Sequence, residues 1–340
     1  MSTSSDPHAY LKPYKTVEDQ LALLASHGMQ IVDSNAASKC LARVGYYRLS
    51  GYWYPFRKSR LSINPLTGEP LFYPNSNKRQ VVVEDDFLPG TTFKQVMDLY
   101  VFDKRLRLLV LDAIERIEVA LRVDIALFLG QRDPWAHRKA LYLHGNFTKK
   151  MYPPSDETDF NKWLQKLDVA FLRSREEFAK HFKAKYQGEQ PPIWIAIELW
   201  DFGMLSTFLG GMQKVDQYAL AAKYKLPRPE LLAKSCRNFN NIRNICAHHG
   251  RLWNRSPADQ IVLPKKGDAV ELDHLVENVS AQSRLYATVA LLQFFLKTIH
   301  SRSSWAARLK QHCATFPLAK GVNLSQAGFP VGWENLSLWN

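Results

Sequence analysis

The stretch Asn238-Phe239-Asn240-Asn241-Ile242-Arg243-Asn244-Ile245-Cys246-Ala247-His248-His249-Gly250-Arg251-Leu252-Trp253-Asn254-Arg255 decides how the chain is read. Pro229 and Glu230 suit the first turn of a helix leading into it, and Gly250 suits its end. With successive residues about 100° apart, Phe239, Ile242 and Cys246 share one face. Arg237, Asn241, Asn244 and His248 share the opposite face, and Arg251 follows. A helix that buries one apolar face normally turns solvated Lys and Glu outward. Here amides, arginine and histidine occupy the outer face, groups that grip phosphate and move protons near neutral pH. From residue 230 to 255, five Lys or Arg and two His accompany a single acid.

The 340 residues carry a net charge of +13 and a pI near 9.5. That balance favours a polyanionic partner, nucleic acid before a membrane; the bland alternative is a merely soluble basic protein. Apolar residues make up 46%, enough for a sizeable core. Cys40, Cys236, Cys246 and Cys313 are scattered, with no Cys-x-x-Cys pair, which argues against structural zinc and a redox dithiol. No metal and no cofactor are expected. The N-terminal Met-Ser-Thr-Ser-Ser-Asp has no apolar signal core, and the longest apolar run, residues 289–296, is interrupted by Gln293. A cytoplasmic protein with no membrane partner is expected.

Along the chain, residues 1–12 read as a flexible tail. Residues 13–90 read as a helical, aromatic and basic region with an insertion, and residues 91–340 as a helical core, continuous with it in one domain. Thr16 can cap a helix carrying Val17, Leu21 and Leu24, and a second helix is predicted from about residue 34 to 44. Residues 43 to 60 hold five basic residues, Arg43, Arg48, Arg57, Lys58 and Arg60, with six aromatics and no acid. Cations interleaved with rings suit single-stranded RNA; alternatively the rings form core and the cations line the surface. Residues 61–91 are rich in Pro, Gly and Asn and predict a small irregular or β-hairpin insertion, with residues 71–73 pairing with 80–83 around Pro74-Asn75-Ser76-Asn77. Thr91 or Thr92 opens the longest helix, to about Gly130. Along it Asp103 and Arg107, then Glu118 and Arg122, can pair four residues apart. They either lock helices together, or Glu118 or Arg122 reaches His248. Further helices are predicted over 134–143, 159–186, 215–225, 275–300 and 304–313. Residues 193–209, apolar nearly all round, predict a buried helix with Glu198 as a buried carboxylate. The long apolar stretch 275–300 is the natural packing partner of the helix ending near His248. The fold class is all-α.

Arg243 and His248, four residues between them, match the Arg-x4-6-His motif of HEPN ribonucleases. The wider string from Arg243 to Arg255 resembles, more narrowly, the bacterial abortive-infection Abi_2 (AbiD/AbiF-like) family. So do Lys12-Pro13-Tyr14-Lys15-Thr16, Tyr46-Tyr47-Arg48-Leu49-Ser50-Gly51-Tyr52-Trp53, Tyr100-Val101-Phe102-Asp103-Lys104-Arg105-Leu106-Arg107, the blocks at 114–122 and 194–209, and the closing Gly328-Phe329-Pro330-Val331-Gly332-Trp333.

The resemblance implies an elaborated HEPN-like helical bundle. It implies a metal-independent endoribonuclease in phage defence, its toxicity held in check by a small structured non-coding RNA. His248 would serve as base or acid, Arg243 would stabilise the phosphorane, and Asn244 would hold the His248 ring or the phosphate. Arg237, Asn241, His249, Arg251 and Arg255 would contact RNA with Arg48, Arg57, Lys58 and Arg60, supported by Asp103, Arg107, Glu118 and Arg122. Attack by the 2′-OH would leave a 2′,3′-cyclic phosphate and a 5′-OH. Positions 243 and 248 lie about 140° apart round an ideal helix, so Arg243 must bend toward His248 or the site must borrow from a second copy. The resemblance implies the latter, a homodimer. The same surface could instead serve a non-catalytic RNA-binding protein, and His248 could simply favour a helix C-terminus.

Overall fold

The computed structural model describes residues 13–151, 154, 156–256 and 261–340; the expected tail at 1–12 lies outside the described residues. The described chain is all-α with one small antiparallel hairpin. Its helices are α1 (Val17–Ser26), α2 (Ser34–Val44), α3 (Tyr46–Trp53), α4 (Phe93–Gly130), α5 (Gly145–Thr148), α6 (Asp159–Arg173), α7 (Glu177–Lys185), α8 (Ile193–Ala196), α9 (Phe202–Gly211), α10 (Lys214–Lys223), α11 (Pro229–Ala247), α12 (Asp273–Val276), α13 (Val279–Gln282), α14 (Leu285–Ile299) and α15 (Trp305–Cys313). The strands are β1 (Arg57–Leu61) and β2 (Val81–Phe87). Two compact units emerge. One takes the described residues up to Phe102 with Phe316–Asn323, the other Asp103–Thr315 with Leu324–Asn340.

In the first unit, Thr16 caps α1 as expected. Its hydroxyl accepts from the Asp19 N–H at 3.2 Å, and the Asp19 carboxylate accepts from the Thr16 N–H at 3.2 Å. Gly45, at φ 90°, turns the chain from α2 into α3. Leu49, Tyr52, Trp53 and Phe56 are buried, and Tyr46 stands edge-on to Trp53 at 4.8 Å. The sheet pairs β1 with β2, Arg60 opposite Val82, with an irregularity between Arg57 and Ser59. The sequence reading placed the hairpin at 71–83. There Phe72 does bridge Arg79 and the Tyr73 N–H donates to Lys78, around Asn75 at φ 56°. The longer ladder nevertheless pairs residues 81–83 with β1 rather than with residues 71–73. Thr92 caps α4 in reciprocal hydrogen bonds with Gln95, and α4 then runs unbroken to Gly130.

In the second unit, Leu106, Val110, Ile114, Ile117, Leu121, Ile125 and Leu129 form a fully buried stripe along α4 at helical spacing. Helix α11 packs against α9, α10 and α14, so the predicted pairing with the 275–300 stretch holds. Four predicted helices are interrupted, each at a side chain that captures backbone. Residues 134–143 form two short 3-10 turns, begun where the Asp133 carboxylate accepts from the Trp135 N–H. Residues 159–186 divide between α6 and α7, and Lys183 donates to the carbonyls of Phe171, Leu172 and Ser174 at that break. Residues 193–209 divide because the Asp201 carboxylate accepts from the Met204 N–H at 2.7 Å and starts α9 afresh. Asn278 likewise caps α13 within 275–300. Glu198 is not buried: its side chain is 54% exposed. No helix among the described residues is long and apolar enough to cross a membrane.

His137 is fully buried in the second unit, beside the Trp200 ring, and neither ring nitrogen meets a hydrogen-bond partner among the described residues. Burial, helped by the Arg138 charge and opposed by Asp133, pushes its pKa from 6.5 down to about 3. The folded chain keeps this imidazole neutral, while the unfolded chain protonates it. Its full contribution is therefore present above pH 6.5 and is lost as pH falls. By pH 5 the loss is about 2 kcal/mol. His137→Leu should flatten the fall in the urea unfolding midpoint between pH 7 and pH 5; an unchanged acid slope would refute this account.

Candidate functional site

Helix α11 begins with Pro229 in its first turn, where the missing N–H costs nothing. Its inner face is as expected: Cys236, Phe239, Ile242 and Cys246 are buried, and Phe239 meets Phe295 of α14 edge-on at 5.3 Å. Asn238 is buried too, accepting from the Thr288 hydroxyl at 2.9 Å. Burial pushes the Cys236 and Cys246 thiols up to about 12, so Cys246, though inside the motif, is packing rather than nucleophile. On the outer face, Arg237 and His248 are exposed and Asn241 and Asn244 are half-buried.

The helix ends earlier than the sequence suggests. Ala247 is its last residue, His248 its C-cap, and the left-handed position falls on His249, at φ 59°, not on Gly250. The His249 N–H donates to the Cys246 carbonyl and the Gly250 N–H to that of Ile245, at 3.0 and 2.8 Å, which satisfies the final turn. Gly250 serves another purpose. A Cβ there would lie 3.2 Å from both the Ile245 carbonyl oxygen and its Cγ2.

A buried ion pair fixes the chain beyond. Asp103 is fully buried; it accepts from Arg107 at 2.5 Å, from the Trp253 N–H at 2.8 Å and from the Leu252 N–H at 3.1 Å. Arg107 also donates to the Gly250 carbonyl at 3.2 Å. Charge-assisted bonds of this kind leave the 250–253 segment little freedom behind His248.

A second polar cluster lies beside Arg243. Arg122 donates to Glu118 and to the Trp200 carbonyl, each at 2.5 Å, and lies 3.8 Å from Glu198. Arg243 donates to the Asn244 side-chain oxygen at 3.3 Å. Burial raises the Glu118 pKa, although the Arg122 and Arg243 charges favour its ionised form. Burial also works against ionisation of Asp201, but hydrogen bonds from Lys166 and the Met204 N–H, with the charges of Lys166 and Arg243, hold it below the usual carboxylate range. A Cβ on Gly203 would sit 3.1 Å from the Asp201 carboxylate and 3.6 Å from Asn240 of α11. Glu118 and Arg122 thus belong to the surroundings of Arg243. Among the described residues no side-chain hydrogen bond or ion pair joins His248 to Arg243, Glu118 or Arg122. Asp201 and Asn240 were missed in the sequence; an Asp directly before an apolar helix was the available signal for the former.

The remaining predicted contacts divide. Arg251 is half-buried and Arg255 exposed in the chain after α11. Arg48 is exposed on α3. Arg57, Lys58 and Arg60, on β1, each meet an acid on β2: Asp85 at 3.0 Å, Asp86 at 3.4 Å and Glu84 at 3.3 Å. Their charge is matched locally, because the acids sit in the strand that pairs with them.

The structure thus defines a helical protein with an Arg-x4-His pair near the end of one well-anchored helix. The family model described as Abi-like protein, Abi_2, matches residues 39–254, and the chain belongs to that family. The match spans α4, with Asp103, Arg107, Glu118 and Arg122, and the whole of α11. Family membership associates the chain with abortive infection, the arrest of phage at the infected cell's expense. No curated protein and no solved structure matches it.

Removing the Asp103 carboxylate would strand Arg107 and two buried N–H groups. Asp103→Ala is expected to lower the unfolding free energy by about 3–5 kcal/mol in chemical denaturation. Asp103→Asn, which keeps one acceptor, should cost less; equal losses would show that the negative charge, not the acceptor, is what matters.

Proposed function

We propose that the chain is a metal-independent endoribonuclease of the HEPN type acting in phage defence. The observation that carries this reading is the exposed His248 ring at the end of a well-anchored helix, with Arg243 and Asn244 about one turn before it. RNA brings its own nucleophile. An imidazole accepts the 2′-OH proton, O2′ bonds to phosphorus, and the 5′-oxygen departs with a proton from an acid on the far side. Arg243 neutralises the phosphorane. Glu118 and Asp201 would orient Arg243 rather than touch RNA. Because Arg243 and His248 do not meet within one chain, the complete centre is a homodimer's, a second copy supplying the opposite group. The products carry 2′,3′-cyclic phosphate and 5′-OH ends, and a small structured RNA on the basic surface restrains the activity.

A second reading has its own support. Arg243 lies in the field of Glu118 and Asp201, away from His248, an arrangement that also suits an RNA-binding protein without cleavage. End-mapping of RNA incubated with the purified protein separates the two. His248→Ala and Arg243→Ala should each slow cleavage by about 100-fold or more while thermal unfolding stays near that of the parent. Arg243→Lys should not restore it, since a lysine lacks the planar fork. RNA retained by the parent but never cut would favour the binder, and cleavage that survives His248→Ala would end the nuclease reading.

A further inference from the structure

The basic residues of the first unit do not contribute equally to its surface. On the hairpin, three cations face three acids. Residues 34–56, which form α2, α3 and the turn after it, carry Lys39, Arg43 and Arg48 and no acid at all. Asp33, just before them, is occupied as the cap of α2, accepting from the Ala36 N–H at 2.9 Å. Lys39 and Arg43 lie one turn apart and exposed, and neither enters an ion pair with any described residue. Lys39 and Arg43 thus leave α2 with positive charge that no acid on α2 or α3 offsets.

The aromatics beside it divide just as sharply. Tyr52, Trp53 and Phe56 are buried, and Tyr46 packs on Trp53. Tyr47 is 92% exposed and Tyr54 52% exposed. The backbone is still helical at Tyr54 (φ −51°, ψ −43°), so the two rings, seven residues apart, lie on one side of α3 with a rise of about 10 Å between them. Core packing explains the inner four rings and leaves Tyr47 and Tyr54 without a structural purpose.

We infer that α2 and α3 form a single-stranded RNA surface on which Tyr47 and Tyr54 stack unpaired bases while Lys39 and Arg43 hold the phosphates. The inference rests on the RNA reading above but not on cleavage. Duplex bases are closed to such rings, so the ligand is an unpaired strand.

The test uses the full-length chain with His248→Ala, so that the probe, a fluorescein-labelled single-stranded RNA oligonucleotide, stays intact during anisotropy titration. Adding Tyr47→Ala should weaken binding by roughly ten-fold, and Tyr47→Phe should not. Lys39→Gln with Arg43→Gln should reduce the slope of log affinity against log salt by about 1.4. A duplex RNA of equal length should not respond to Tyr47→Ala. The surface is refuted if Tyr47→Ala binds as the parent does, if Tyr47→Phe is as weak as the alanine, or if the duplex loses as much. Cleavage that depends on His248 together with binding indifferent to Tyr47 would refute this surface and leave the enzyme standing; no binding of RNA by the parent would refute both.

Discussion

One fully buried carboxylate governs the region around His248. Asp103 accepts from Arg107 and from the N–H groups of Leu252 and Trp253, whose own side chains are fully buried. Backbone donors in a loop that dives into the core need acceptors, and an isolated buried charge is costly. Each requirement answers the other: the loop supplies hydrogen bonds to the carboxylate, the carboxylate satisfies the loop, and Arg107 balances the charge. The result is a fixed exit from α11. Because the chain beyond Gly250 cannot wander, the left-handed turn at His249 is held despite its cost for a non-glycine residue, and His248 stays outside.

The same helix meets a different electrostatic situation one turn earlier. Two carboxylates share the field of Arg243, yet their pKa values move in opposite directions. Glu118 has burial against it and one close cation hydrogen-bonded to it, Arg122, which is also tied to a backbone carbonyl. Asp201 has a lysine at 2.6 Å and a helix N–H at 2.7 Å, and those outweigh its burial. The Arg243 charge therefore acts on one carboxylate that is reluctant to ionise and on one that ionises readily.

The repetition of helical spacing made most of the fold legible. The buried face of α11, the α1 cap, the start of α4 and the partner role of the 275–300 stretch all follow from apolar residues three and four apart and from Thr or Asp placed before them. What periodicity could not show was where a side chain would take a backbone group away from its helix. Asp133, Lys183, Asp201 and Asn278 each do this, and each divides or shortens a predicted helix. The motif residues were legible as types, their surroundings were not. Asp103 read as a partner for Arg107 four residues on, and that pairing is present, but its larger task involves Leu252 and Trp253, far along the chain. Glu198, read as buried, is open because α9 starts afresh at Asp201. The charges on β1 looked unopposed because their counterparts lie in β2, beyond the insertion.

The angular separation of Arg243 and His248 constrains any chemistry that uses both. About 140° of helix lies between them, and α11 is regular up to Ala247, so no distortion of the backbone brings them round. The Arg243 charge is felt by Glu118 of α4 and by Asp201 at the start of α9, while His248 is exposed where the helix has ended. A single phosphate touching both groups of one chain would have to wrap the helix. A two-fold axis near the end of α11 removes the difficulty, because an isologous contact returns to each chain what it offers to the other. Each phosphate could then meet the imidazole of one copy and the guanidinium of its mate. Two chains of net charge +13 would resist such an approach, and a bound polyanion would relieve that resistance. Under the proposed reading, RNA would do more than serve as substrate: it would supply the negative charge that lets the two halves of the centre come together.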